Sequence, residues 1–277
     1  MKKHLNLVFP QWQGNGQDLT VYDSTYYFMK NYMGSLDTIT IPVTTDLISP
    51  VNHGTKGYAD ILFQHKLVQN KLESIRPDTI FLVGGSSDSD LACAAYLNTL
   101  CRKDFAEVFL ESHSGLDNPK YTVSELYHGM ALRTLCGHGT PELWQTLPSV
   151  LNPNQVLLCT TRGVNLSEKR FIDYHHIDHI QSRTLEKDPG IVAELLRQRS
   201  FRNVFLHISL DCLDPNEFRL TQYPENSGIS ISALMGIVSS VSASCNVVGM
   251  SITQYTGGPD DRDEEFLKEL VRIGSSL

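Results

Sequence analysis

The sequence contains no apolar run approaching the length of a bilayer span, and its longest uninterrupted hydrophobic stretches are strand-sized. The stretch after Met1-Lys2-Lys3, which ends at Phe9-Pro10, is too short for the hydrophobic part of a signal peptide. A cytoplasmic protein is expected, with no membrane partner. Basic excess is missing too: 23 Lys and Arg stand against 31 Asp and Glu, for a net charge of -8 and a pI near 5.6. That balance gives no electrostatic reason to bind nucleic acid or an anionic surface, and points to a small-molecule ligand. The six cysteines, Cys93, Cys101, Cys136, Cys159, Cys212 and Cys245, form no CxxC pair and lie mostly in apolar segments. They read as reduced, buried thiols rather than a disulfide framework or a zinc cluster. Repeats, low-complexity tracts and linkers are absent, so residues 1–277 are expected to form one domain.

What is present is an alternation of strand-sized and helix-patterned segments. Near-continuous apolar runs at Leu5–Phe9, Thr38–Val43, Thr79–Val83, Glu107–Leu110, Gln155–Cys159, Asn203–Leu210 and Val247–Ile252 predict strands buried on both faces. Helical spacing predicts helices over Tyr58–Ile75, Ser89–Leu100, Val123–Leu135, Pro189–Arg197, Ser232–Val241 and Asp263–Ile273. Asp88 or Ser89 is placed to cap the second of these, Ser167 with Glu168 to open another helix, and Gly137 and Gly139 to end the one containing Leu132–Leu135. The order implies an α/β fold, a central mostly parallel sheet in a three-layer αβα arrangement.

Ligands of such sheets bind beyond the carboxyl ends of the strands. Those ends read Gly84-Gly85-Ser86-Ser87-Asp88, Glu111-Ser112-His113-Ser114-Gly115-Leu116-Asp117, Thr161-Arg162-Gly163-Val164-Asn165, Ser209-Leu210-Asp211 and Thr253-Gln254-Tyr255. Strand alternation lets Glu111 and His113 face one point, and likewise Ser209 and Asp211.

In order and spacing these segments, with His128-Gly129-Met130 and Ile208-Ser209-Leu210-Asp211-Cys212-Leu213-Asp214-Pro215, resemble the ureohydrolase family, which includes arginase, agmatinase and formimidoylglutamase. The resemblance runs from Phe9-Pro10-Gln11-Trp12-Gln13-Gly14 to the last strand and implies the arginase-like fold and an assembly of several copies. In that family two Mn²⁺ ions bridged by hydroxide are held by imidazoles and carboxylates whose negative charge offsets that of the ions.

Several positions depart from that pattern. Ser87 stands for a family His, Glu111 for an Asp, Gly115 for an Asp and Ser209 for an Asp, while His113 and Asp211 remain. One ion is left with Glu111 alone. The other retains Glu111, His113 and Asp211, enough for a single Zn²⁺ or Mn²⁺ ion, with Asp88, Asp90 and Asp117 as conceivable substitutes. The alternative for His113 is a strand-end histidine bonded to Glu111, Asp211 or backbone.

On the substrate side, Gln254 aligns with the guanidinium-facing Glu and Gly163 with an Asp that contacts the substrate amino group in arginase. Ser124 matches a serine contacting the substrate carboxylate, and Asn165 lies in the same strand-end segment as Gly163. His128 is the family's proton-shuttling histidine, in a turn equally suited to packing.

Three readings follow. The first is a pseudoenzyme or small-ligand binder without the two-metal centre, without arginase activity and without a required cofactor, acting as a homo-oligomer or paired with an active paralogue. The second is a hydrolase of a guanidino or amidino C–N bond at one metal ion on Glu111, His113 and Asp211, with His128 as acid/base. The third is thiolate chemistry at Cys212, against which strand alternation argues, because Asp211 facing the crevice turns its neighbour away. His175-His176-x-x-His179, beside Asp173 and Asp178, reads as a solvated loop or helix surface.

Overall fold

The computed structural model describes residues 2–262 and 264–277. Met1 and the expected helix start at Asp263 lie outside the described residues. The strands are β1 (His4–Phe9), β2 (Thr38–Thr40), β3 (Thr79–Gly84), β4 (Phe105–Leu110), β5 (Val156–Cys159), β6 (Asp178–Ile180), β7 (Asn203–Ser209) and β8 (Asn246–Thr253). They form one eight-stranded sheet in the order β2-β1-β3-β8-β7-β4-β5-β6, and every pairing is parallel.

Helices cover both faces, as the continuous apolar strands require. The helices are α1 (Thr20–Tyr32), α2 (Tyr58–Ile75), α3 (Leu91–Cys101), α4 (Ala131–Leu135), α5 (Pro141–Trp144), α6 (Leu166–His175), α7 (Ser182–Lys187), α8 (Ile191–Gln198), α9 (Ile231–Ser244) and α10 (Glu265–Gly274). Alternate strand residues divide between two cores. Val108, Leu110, Leu206, Ile208, Met250 and Ile252 pack with Phe28 of α1, Leu185, Val192, Leu234, Val238 and Leu270. Phe105, Phe109, Phe205, Leu82 and Leu7 turn to the other face, against Ile61, Val68, Leu97, Leu132, Leu143 and Phe171. Each such fully buried side chain contributes about 1.5–3 kcal/mol. The three-layer αβα architecture follows directly.

Where structure and sequence pattern part, local chemistry explains the difference. Val123–Leu135 is not one helix: Val123 is 98% exposed, a 3₁₀ turn spans Tyr127–Met130, and only α4 is α-helical. Neither Asp88 nor Ser89 caps α3, because Ser87–Asp90 themselves form a 3₁₀ turn and their side chains bond elsewhere. The cap of α6 is Asn165 rather than Ser167. Its side chain accepts from the backbone of Ser167 and Glu168 while the Glu168 side chain reaches back to the Asn165 N–H. Asp178 and His179 lie on the edge strand β6, not on a solvated loop or helix, and His179 Nε2 meets the Thr161 carbonyl at 3.0 Å. Gly137, at φ +75°, follows the short α4. α2 stops at Arg76, whose N–H bonds to Leu72 O in a left-handed conformation just ahead of Pro77.

Candidate active site

Asp211 sits in the 3₁₀ turn after β7 and is fully buried. Its Oδ1 accepts from the Ser112 N–H at 3.1 Å and from Ser209 Oγ at 2.7 Å. Its Oδ2 accepts from Ser112 Oγ at 2.6 Å and lies 3.0 Å from His113 Nδ1. Burial alone would lower the His113 pKa. The hydrogen bond and charge of Asp211, with smaller pulls from Glu111 and Glu225, reverse that and carry it up to about 9. Burial likewise opposes ionisation of Asp211, yet the bond and charge of His113, then Ser112 and Ser209, hold it down to about 2. The pair is an ion pair at neutral pH.

The His128 ring stands edge-on to that of His113, with centroids 5.6 Å apart, and stacks on Tyr223 at 4.8 Å and 11°. Burial, then the charge of His113, pushes His128 down to about 3, so it is neutral. Among the described residues its buried Nδ1 has no hydrogen-bond partner. An imidazolium and a neutral imidazole thus share one wall, and the neutral ring is the one suited to accept a proton or a hydrogen bond.

Beneath them lies a buried polar floor. Glu111 Oε1 accepts from Ser87 Oγ at 3.1 Å, and Oε2 lies 3.1 Å from His207 Nε2. The other His207 nitrogen, Nδ1, lies 2.7 Å from Asp90 Oδ2, which Ser251 Oγ also contacts. The His207 ring stacks on Phe109 at 4.2 Å and 9°. Burial raises Glu111 to about 7, offset in part by the bond from His207. Burial would lower His207, but the charge and bond of Asp90 and those of Glu111 hold it well above its ordinary value. Gln254, in a left-handed conformation at φ +65°, is locked by Asn15 at 2.7 and 3.2 Å and by Ser87 at 3.1 Å.

A crevice of about 280 Å³ opens above, lined by His113, Asp117, Ser124, His128, Gly129, Arg162, Gly163, Asn165, Glu168 and Tyr223 among others. The structure therefore brings Ser124, Asn165, His113 and His128 to one cavity. Gln254 is not among its lining residues, and Asp211 and Glu111 are fully buried. Asn165 serves first as the cap of α6. Cys212 is buried in the apolar core, where burial and then Asp211 raise its thiol far above the ordinary range.

Three positions that the resemblance aligns with metal ligands carry Ser87, Gly115 and Ser209 here. Ser87 and Ser209 present hydroxyls that already donate to Glu111 and Asp211. Gly115 has φ +62°, and a Cβ there would lie 3.0 Å from the Leu132 Cβ and 3.1 Å from the Leu132 backbone nitrogen, leaving no ready place for the family's aspartate. β4 ends at Leu110, so Glu111 and His113 are carried by the segment that follows the strand rather than by strand alternation, and they still bring ligand atoms close to one another. Glu111 turns to Ser87 and His207, while His113 turns to Asp211. Among the described residues, the ligand atoms of Glu111, His113 and His128 lie within 4.8 Å of one another.

Sequence reasoning passed over two residues. His207 lies inside an apolar strand run, and only the same-side spacing of residues 207, 209 and 211 hints that it shares the face of Ser209 and Asp211. Tyr223 lies in a loop with no motif signal.

This sheet, with its polar strand ends gathered over β3, β4, β5, β7 and β8, defines a protein of the ureohydrolase class. Arginase from Entamoeba histolytica, solved in complex with L-ornithine, superposes with a TM-score of 0.86 at 18% identity, covering 100% of this chain and 98% of that one. Arginase from Bacillus caldovelox gives 0.82 at 17%, covering 99% and 98%. Proclavaminate amidino hydrolase from Streptomyces clavuligerus gives 0.64 at 14%, covering 100% and 90%. The profile of the Arginase family matches residues 18–266, and the chain belongs to that family. In sequence, arginase from Staphylococcus aureus (strain COL) is 28% identical over 171 residues, 59% of this chain and 56% of that protein. Arginase from Plasmodium berghei (strain Anka) is 24% identical over 213 residues, 73% and 60%. The aligned segments span little more than half the length of these relatives. Among the described residues no helix is long and apolar enough to cross a membrane.

Proposed function

We propose that this chain is an arginase-fold protein that binds a small polar molecule in the His113–His128 crevice without a two-metal centre, and that it does not hydrolyse arginine. The carrying observation is that Ser87 and Ser209 hydrogen-bond to the very carboxylates, Glu111 and Asp211, that the resemblance would have face a pair of metal ions. The crevice offers a ligand the charged His113, the neutral His128, the hydroxyl of Ser124 and the backbone at Gly163. It acts as a cytoplasmic homo-oligomer or with an active paralogue, and no cofactor is required. The test combines metal analysis after Mn²⁺ loading and dialysis, a urea assay with arginine, and a thermal-shift screen of small guanidino, ureido and carboxylate compounds. Fewer than two ions per chain, no urea, and a stabilising compound whose effect vanishes in His113→Ala support the reading. Two retained ions with urea release overturn it.

A second reading is favoured by the closeness of Glu111, His113 and His128. One divalent ion there would supply an activated water for cleaving a guanidino or amidino C–N bond, with Asp211 orienting His113. Asp211 has both oxygens engaged by Ser112, Ser209 and His113, so His128 rather than Asp211 completes the reachable set. Measuring bound ion in His128→Asn separates the roles: loss of the ion marks a ligand, and loss of turnover alone marks an acid/base.

A further inference from the structure

The polar floor spans the centre of the sheet. Asp90 and Ser87 follow β3, Ser251 lies on β8, His207 on β7, and Glu111 follows β4, and these strands are the contiguous inner set β3-β8-β7-β4. One imidazole joins the two outer members of that set. His207 Nδ1 lies 2.7 Å from Asp90 and Nε2 lies 3.1 Å from Glu111, while Ser251 adds a contact to Asp90 and Ser87 one to Glu111. All five side chains are essentially inaccessible to solvent, between 0% and 1%. The ring is also fixed in plane by stacking on Phe109. The bridge holds whichever of the three groups carries the shared proton, because two carboxylates flank one two-nitrogen ring.

The strand ends that this bridge joins, those carrying Ser87, Glu111 and Ser209, are the ones whose counterparts the resemblance implies are joined by a metal ion. The same closure is made here from side chains. We propose that the Asp90–His207–Glu111 bridge is the permanent tie between the carboxyl ends of the four central strands, so that this chain folds and keeps its crevice without a metal ion. This rests on the reading of a chain lacking the two-metal centre, and it names the device that replaces that centre.

The bridge makes a demand that a merely packed histidine does not. Removing His207 leaves two buried carboxylates facing each other across the sheet, a situation that a divalent cation relieves and that is otherwise strongly destabilising. The experiment is thermal denaturation of the full chain, wild type and the variants His207→Ala and His207→Gln, in EDTA and in added Zn²⁺ or Mn²⁺, with metal analysis of the wild type. The wild-type Tm is expected to be unchanged by EDTA. His207→Ala is expected to melt lower by about 10 °C, His207→Gln by less, and added cation is expected to raise the variants' Tm more than that of the wild type. Should His207→Ala not fold, His207→Gln and the wild-type EDTA comparison carry the test.

A wild-type Tm that falls in EDTA overturns the bridge. So do variants that melt with the wild type, and in that case the crevice reading is left intact. Two tightly held ions per wild-type chain overturn both. A wild type indifferent to EDTA, with cation-rescued variants and no ligand found, leaves the bridge standing and the crevice reading failed.

Discussion

Nδ1 of His113 lies 3.0 Å from Oδ2 of the fully buried Asp211, although 98 residues separate them in the chain. The pairing moves both groups in opposite directions, His113 up to about 9 and Asp211 down to about 2. Asp211→Asn removes the charge and the better acceptor, so the His113 pKa should fall by about 1–2 units. Titration of the His113 ring protons by NMR in the two proteins checks this. An unmoved pKa would show that the pair does not form.

The same shift sets a pH dependence. A histidine whose folded pKa lies above its unfolded value stabilises fully below the unfolded value of 6.5 and loses that contribution as pH rises through about 9. His113→Gln should therefore cost about 1–2 kcal/mol near pH 5.5, less than the full shift implies because the His113 side chain is 33% exposed, and almost nothing near pH 10. Asp211 acts in the other direction. Its contribution is full above 3.8 and is lost as pH falls through about 2. Urea denaturation of wild type and variant at several pH values gives the difference directly. A cost that grows with pH would refute the assignment.

Tyr223 covers the face of His128 at 4.8 Å, and burial is the leading cause that keeps this imidazole neutral down to about 3. Tyr223→Ala should hydrate the ring and raise the His128 pKa toward 6.5. It should also lower stability by about 1–3 kcal/mol through lost stacking and burial. NMR titration and chemical denaturation measure the two effects separately.

The parts of this fold that the sequence made legible are those where one physical term dominates. Strands such as Thr79–Gly84 and Asn203–Ser209 are buried on both faces, so their apolar runs are nearly continuous. β6 offers only Asp178–Ile180 on an edge, with little apolar signal to read. Among site residues, His113 stood out because polar groups end an apolar run, and His128 because His128-Gly129-Met130 resembles the family's turn. His207 did not, since its partner Asp90 lies 117 residues away and a single imidazole in a hydrophobic strand gives no local sign of what it bonds. The floor is a long-range property of strand order, and strand order is not written in any one segment.

Cys212 gives a test of the thiol reading. Its side chain is buried in the core and its thiol is held far above the ordinary range, whereas Cys101 and Cys245 are only partly buried. Burial raises the thiols of Cys101, to about 11, and Cys245 as well, so iodoacetamide on the native protein at pH 8 should label these two slowly and leave Cys212 unmodified until the chain is unfolded, as peptide mass analysis would reveal. Rapid native labelling at Cys212 would reopen nucleophilic catalysis.

Returning the family's ligands at three positions tests the proposal that this chain lacks the two-metal centre, and whether those side chains or the surrounding backbone would account for it. Ser87→His and Ser209→Asp place larger groups on a floor whose hydroxyls now bond Glu111 and Asp211, and His207 already holds one oxygen of Glu111. Gly115→Asp meets a harder obstacle. The residue has φ +62°, and the new Cβ would come within 3.0 Å of the Leu132 Cβ and 3.1 Å of the Leu132 backbone nitrogen, which is backbone and cannot rotate away. That substitution alone should destabilise the protein by about 1–3 kcal/mol, read by urea denaturation. The combined Ser87→His, Gly115→Asp, Ser209→Asp protein should still retain fewer than two Mn²⁺ ions after dialysis, because the added carboxylates arrive without the backbone that aims them and with the Asp90–His207–Glu111 bridge still closed. Adding His207→Ser to the set opens that bridge, and ion retention should rise relative to the triple variant. Metal analysis of both proteins decides between the alternatives: two ions already held by the triple variant would mean that side-chain identity was the whole of the difference, while a gain only after His207 is removed would place the block in the bridge.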